Sequence, residues 1–322
     1  MRGGTRRASR VRRSWGAASA GLLVGAACAL VSSGAMASPP PPPTYHDYLA
    51  LGDSYTADVL TGPLPPTTQF VPLGCAQSKD DYPHQVAKML HVAAFRDASC
   101  GSATTDNITQ PQSVPLNGTA PPQLDAPNPN VDLVTVGMGG NDVGFVTDAE
   151  SCVNVVPTPI PGAPEGLGGS CAARDTAGGV DQIDQAIKDT APKLVTMLAW
   201  IRRELPNARI LLVNYLDAVP LDGKGCWPVV PVQNEDMAYL ASKFVEMNNM
   251  LGWMATLVHV QVVDTFTPTI GHDVCQAPTR RDVEGVIPLS LDPLDVNFPL
   301  HPNGAGAAAQ AAAVYAAIEG TG

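Results

Sequence analysis

Apolar residues gather in five short runs: Tyr48–Leu51, Val92–Phe95, Val131–Val136, Ile210–Val213 and Val258–Val263. The third and fourth, VDLVTV and ILLV, are nearly unbroken. A strand with one face in water alternates apolar and polar positions, whereas an unbroken run suits a parallel strand covered on both faces. Between the runs the period lengthens to that of a helix. In VDQIDQAIKDTAPKLVTMLAWIRREL, Ile183, Ile187, Leu194, Leu198 and Ile201 fall along one side, and Pro192 predicts a kink. DYPHQVAKML has Asp80 and Asp81 as candidate caps and Pro83 in its first turn. NEDMAYLASKFVEMNNMLGWMATL starts from a candidate Asn234 cap, and PNGAGAAAQAAAVYAAIEG runs from Pro302 to Gly320. Strand alternating with helix predicts an α/β fold with a parallel sheet between helix layers.

In such sheets ligands bind beyond the carboxyl ends of the strands. The first run ends there in YLALGDSYTA, with Ser54 directly after Gly52 and Asp53. Gly, Asp and Ser are common turn residues, so the tripeptide alone reads more readily as a turn than as a nucleophile. The connections are long and rich in Pro and Gly: 58–79, 112–130, 152–178, 220–231 and 267–299. Ordinary connections run about 2–6 residues.

The amino terminus belongs to no strand or helix of this pattern. Six arginines from Arg2 to Arg13 precede an apolar segment over 17–31 and the small-residue site Ala35-Met36-Ala37. This reads as a secretory signal peptide over 1–37, shorter in its apolar part than the ~20 residues of a membrane span. Cys28 resembles a lipoprotein site only weakly, and the paired arginines leave twin-arginine export open. A Pro-rich spacer over 38–44 leads to one domain over 45–322. The leader holds six of the 19 basic residues and none of the 30 acidic ones, so the remainder is strongly acidic. That charge argues against a nucleic-acid partner. The chain is expected to be secreted, monomeric and without a stable membrane span.

Six cysteines follow the leader: Cys75, Cys100, Cys152, Cys171, Cys226 and Cys275. An even count in an oxidising compartment predicts disulfides, and six cysteines allow 15 pairings. There is no C-x2-C spacing and no His/Cys cluster, so the sequence predicts no zinc site. Asn107-Ile-Thr and Asn117-Gly-Thr match glycosylation sequons.

Three further segments bear on Ser54. ASCGSATTDNITQPQ (98–112) follows the second run, and its small residues would leave backbone N–H groups open. GMGGNDVGF (137–145) follows the third and offers the Asn141 amide. NFPLHPNGAGAAAQ places His301 just before the last helix, where an imidazole could serve as a base for Ser54. His46, His84, His91, His259 and His272 are the other histidines. Each segment also reads as an ordinary turn or cap.

Taken in order, the four blocks resemble those of the SGNH hydrolases, also called GDSL lipases and esterases, and are most similar to the secreted three-disulfide branch of actinobacteria. The resemblance spans essentially the whole chain after the leader. It implies a flavodoxin-like three-layer α/β/α sandwich with five parallel strands in the order 2-1-3-4-5. It also implies the pairs Cys75–Cys100, Cys152–Cys171 and Cys226–Cys275. By position it implies Ser54 as nucleophile and His301 as general base, with an oxyanion hole from the Ser54 N–H, the Asn141 amide and a third N–H. The family has glycine two residues before the block's threonine; here that position is Ser102, with Gly101 one earlier, and Ser102 is preferred. Many members carry Asp three residues before the histidine, where this chain has Phe298. The Phe298 main-chain carbonyl is therefore expected to orient His301, with Asp295 or Asp292 as the alternative carboxylate.

The implied activity is hydrolysis of carboxylic acyl or lipid esters through an acyl-enzyme, with no metal or cofactor. A cell-wall carbohydrate acetylesterase, or a non-catalytic lipid- or glycan-binding module on the same fold, are the alternatives.

Overall fold

The computed structural model describes residues 44–125, 130–286 and 295–320. The signal peptide and the prolines up to Pro43 lie outside the described residues, as does Asp292.

The chain opens with β1 (Asp47–Gly52) and the single turn α1 (Ser54–Ala57). After the short strand β2 (Gly62–Pro63) come α2 (Tyr82–Leu90) and β3 (Ala94–Asp97). A hairpin of β4 (Gln112–Val114) and β5 (Gly118–Ala120) precedes β6 (Leu133–Gly137). Three short helices follow, α3 (Gly140–Val143), α4 (Phe145–Ser151) and α5 (Cys171–Asp175), then the long α6 (Gln182–Glu204). The last elements are β7 (Arg209–Val213), α7 (Asn234–Leu257), β8 (Gln261–Val263), β9 (Asp295–Val296) and α8 (Gly304–Glu319).

The main sheet runs β3-β1-β6-β7-β8 with every pairing parallel. Counted along the chain, its strands stand in the order 2-1-3-4-5. Successive side chains of β1 point to opposite faces. Tyr48 and Ala50 join Tyr82, Val86, Val314 and Ile318 of α2 and α8 in one core. Leu49 and Leu51 join the larger core, which holds Leu194 and Leu198 of α6 and Leu240 and Phe244 of α7. Burial on both faces is why β1 and β6 read as nearly unbroken apolar runs.

Two strands start later than the apolar runs suggest. Val92 is still in the turn after α2, its N–H on the Ala87 carbonyl, so β3 begins at Ala94. Val258 caps α7 and His259 takes a left-handed φ of 55°, which delays β8 to Gln261. Two helix starts follow their caps, Asp81 accepting from the His84 N–H and Asp181 from the Asp184 N–H, whereas α7 begins at Asn234 itself, after Gln233 and without a side-chain cap. At α8 the cap is Asn303 rather than Pro302, accepting from Ala305 and Gly306. Pro302 lies before the helix, bridged to Val283. Cys75–Cys100, Cys152–Cys171 and Cys226–Cys275 are bonded.

Candidate active site

Ser54 stands at the start of α1, at the carboxyl end of a central strand, and is 6% exposed. Asp53 caps the turn by accepting the Tyr55 N–H at 3.0 Å. As the first helical residue, Ser54 points its own N–H out of the turn, where no intrahelical acceptor exists. Gly52 lets the backbone come this close to β6. A Cβ there would stand 2.1 Å from Thr56 Oγ1 and 2.7 Å from the Gly137 carbonyl oxygen. Gln123 fixes the same residue from the other side: Gly52 N–H donates to its Oε1 at 2.8 Å, and its Nε2 donates to the Gly52 carbonyl at 2.7 Å. Tyr215, just past β7, donates to Asp53 Oδ2 at 2.5 Å and accepts the Gly140 N–H at 2.7 Å. It thereby ties the GDS turn to the GGND turn. Burial pushes the Asp53 carboxyl up to about 7 against these hydrogen bonds.

His301 lies 247 residues further along and places Nε2 2.8 Å from Ser54 Oγ. Its Nδ1 lies 2.8 Å from the main-chain carbonyl of Pro299. This corrects the expectation for Phe298. The Phe298 carbonyl accepts the His301 backbone N–H at 3.3 Å, closing a turn in which Leu300 has a left-handed φ of 60°. That turn presents the next carbonyl, Pro299, to the ring, while the Phe298 ring packs edge-on against the imidazole at 5.0 Å. Asp295 sits in β9, whose backbone pairs with Gly62 and Pro63. Burial pushes the His301 imidazole down to about 4, outweighing the opposing bond to Pro299. The ring is therefore neutral over most of the pH range. With Nδ1–H on a carbonyl, Nε2 must be the acceptor, and Ser54 Oγ donates to it.

The loop that carries His301 is held by side chains the sequence reading did not single out. Arg281, 1% exposed, pairs with buried Glu284. Glu284 exchanges backbone bonds with His301 and Leu300, each 2.9 Å. Asn303 Nδ2 donates to the Arg281 carbonyl at 2.9 Å and to Glu284 Oε1 at 3.1 Å. The Tyr55 hydroxyl donates to the Leu300 carbonyl at 2.6 Å. The other histidines are elsewhere: His84 on Asp81, His46 and His272 beside Asp132 and Asp282, and His91 and His259 in left-handed positions after helices.

The two candidates for the third oxyanion donor differ in their bonding. Gly101 N–H is spent on the Cys75 carbonyl at 3.0 Å. Ser102 adopts φ 63°, the left-handed region that glycine enters without cost, which accounts for the family's preference at this position. Among the described residues no protein acceptor takes the Ser102 N–H. Asn141 uses one amide hydrogen on the Ala103 carbonyl at 2.9 Å, leaving the other. Asp142 locks the two turns together, accepting the N–H and hydroxyl of Thr105 at 2.9 and 2.7 Å.

Ser54, Ser102, Asn141 and His301 all line a cavity of about 590 Å³. Its wall carries Val59, Leu60, Leu73, Leu116 and Phe298. The arrangement offers a hydroxyl hydrogen-bonded to a neutral base, nearby N–H donors, and an apolar wall beside them.

Residues 50–309 match the GDSL-like Lipase/Acylhydrolase family. A "Lipase 2" of Streptomyces coelicolor is 32% identical over 261 residues, covering 81% of each chain. An "Esterase" of Streptomyces scabiei is 29% identical over 294 residues, covering 83% of this chain and 84% of that one. The crystal structure of phospholipase A1 from Streptomyces albidoflavus NA297 shares the fold, with a TM-score of 0.63 at 20% identity over 87% of this chain and 100% of that one. With the family match spanning most of the chain and a relative above 30% identity over four fifths of it, the chain belongs to the GDSL-like lipase/acylhydrolase family of carboxylic ester hydrolases.

Proposed function

We propose that residues 45–322 form a secreted serine hydrolase that cleaves acyl or lipid esters through an acyl-enzyme. The observation that carries the reading is the bond from Ser54 Oγ to His301 Nε2, with Nδ1 held by Pro299. Ser54 Oγ attacks the ester carbonyl as its proton passes to Nε2. The carbonyl oxygen, now anionic, accepts from the Ser54 and Ser102 N–H groups and the Asn141 amide. Each such donor contributes about 3–4 kcal/mol to lowering the barrier. His301 returns the proton to the leaving alcohol, and a water then repeats the sequence on the acyl-enzyme. The Pro299 carbonyl fixes the tautomer in both halves, where a triad would use a carboxylate.

The apolar wall supports an acyl chain over an acetylated sugar, because a short acetyl group would leave that wall in water. Secretion is supported by the three disulfides and by the shared fold of the extracellular lipase of Streptomyces rimosus.

A fluorophosphonate probe tests the chemistry. The disulfide-intact protein is expected to gain one adduct, on Ser54, and to lose that reactivity in both Ser54→Ala and His301→Ala. Hydrolysis of p-nitrophenyl butyrate should fall at least about a thousandfold in each. An unlabelled but folded protein would instead identify a binding module.

A further inference from the structure

A second cluster of titratable groups lies on the side of the sheet where α2 meets β3. Asp81 caps α2, His84 stands in its first turn, and Asp97 ends β3. One ligand atom from each falls within 4.8 Å of the other two. His84 Nδ1 is 2.6 Å from Asp81 Oδ1 and 3.9 Å from Asp97 Oδ2. Asp58, the residue ending α1, is adjacent: its Oδ2 accepts the Tyr82 N–H at 3.0 Å. All three aspartates are fully buried, and each keeps one oxygen without a hydrogen-bond partner: Asp58 Oδ1, Asp81 Oδ2 and Asp97 Oδ2.

The Asp81 and Asp97 carboxyls face one imidazole here, and the exposed Lys88 lies 3.6 Å from Asp80. Buried charges are ordinarily paired or bound to a metal. The orphan Asp97 oxygen lies 3.9 Å from His84 Nδ1, so the three ligand atoms converge on one spot. A set of one imidazole nitrogen and two carboxylate oxygens suits zinc or manganese better than calcium, which prefers oxygen alone. We propose that Asp81, His84 and Asp97 bind a divalent transition-metal cation of the zinc or manganese class, and that this ion clamps the start of α2 to the end of β3, the strand that leads into the Ser102 turn.

The placement gives the clamp its purpose. Asp58 lies four residues after Ser54. Asp97 lies five residues before Ser102, and its Oδ1 already accepts the Ser99 N–H at 2.8 Å. An ion held by Asp97 steadies the Ser102 N–H through the short segment between them, while Asp58 ties the Ser54 turn to the start of α2 through the Tyr82 N–H. The site escapes a search for C-x2-C or His/Cys clusters because its ligands are carboxylates drawn from a helix cap and a strand end.

The test uses chelator-treated, disulfide-intact protein dialysed against Zn²⁺, with metal counted by mass spectrometry and unfolding followed by heat. One Zn²⁺ per chain and a midpoint raised by roughly 5 °C, reversed by EDTA, are expected. Asp97→Asn and His84→Gln should each weaken Zn²⁺ binding at least about tenfold. If Asp97→Asn does not fold, His84→Gln decides, because His84 reaches the surface. The proposal is overturned if neither Zn²⁺ nor Mn²⁺ binds stoichiometrically and raises the midpoint, binding of Ca²⁺ alone included. It is equally overturned if Zn²⁺ binds the variants as it binds the parent. Ester hydrolysis is not a readout, so the outcome is independent of the reading of Ser54.

Discussion

The two halves of the Ser54–His301 pair are held by different physics. Ser54 sits where close backbone contacts decide its place, fastened by the Asp53, Gln123 and Tyr215 side chains. A strand ends, a helix turn begins, Gly52 admits a contact no other residue allows, and peptide groups and Gln123 saturate Gly52. His301 sits on a long connection, and side chains decide its place: Arg281, Glu284 and Asn303, all buried. A backbone-built site tolerates no substitution at its hinge. A charge-built site can in principle be rebuilt with other side chains.

The largest expected effects break this contrast directly. Gly52→Ala should lower kcat/KM by about a hundredfold or more, since a displacement of an ångström already costs that much. No change at Thr56 should restore it, because the Gly137 carbonyl would still lie 2.7 Å from the new Cβ. Arg281→Met should cost about 3–5 kcal/mol of stability by leaving Glu284 buried and unpaired. Adding Glu284→Met should recover most of that loss in a denaturant titration. Equal rescue of both sites, or of neither, would erase the distinction.

The acid limb of the rate profile comes next. A free imidazole titrates near 6.5, whereas burial holds His301 near about 4. The base is therefore present above about pH 4, and kcat/KM on a soluble ester should reach half its plateau near there. Stability carries the matching sign. Between about 4 and 6.5 the unfolded chain binds a proton that the folded chain refuses, so His301 weakens folding as pH falls through that window. Asp53, pushed up to about 7, acts the other way, costing stability as pH rises from the ordinary aspartate range towards 7.

A smaller effect sharpens the His301 side. If the Pro299 carbonyl orients the ring, Asp295→Asn should lower kcat less than about tenfold, against about 10⁴ for loss of a triad carboxylate. A loss near a thousandfold would assign the role to Asp295. Smallest of all, Ser102→Gly should leave turnover within about twofold and change stability by no more than about 1 kcal/mol. Glycine relieves the left-handed backbone but frees the unfolded chain.

The same contrast explains what could be read from sequence. Ser54, Asn141, Ser102 and His301 stand beside local signals: a strand end, a Gly-rich turn, a run of small residues and a helix start. The choice between Phe298 and Pro299 was not legible, because a turn with Leu300 at positive φ settles it by one residue. Gln123, Tyr215, Arg281 and Glu284 were not legible either. Their partners lie far away in the chain, and only folding brings a glutamine onto Gly52 across 71 positions. Tyr215 alone carried a hint, as a polar aromatic just past the fourth apolar run.

The β4–β5 hairpin has glutamines at both feet. Gln112 donates to the Gly101 carbonyl at 2.7 Å, and Gln123, three residues beyond β5, grips Gly52. Between them the tip carries Leu116, 76% exposed, into the cavity wall. Its anchors grip the backbone at Gly101 and Gly52, while the Leu116 side chain at its tip lines the cavity. Such a part behaves like an interchangeable tool bit. Changing Leu116 would reshape the cavity wall while the shank stays seated in the same socket.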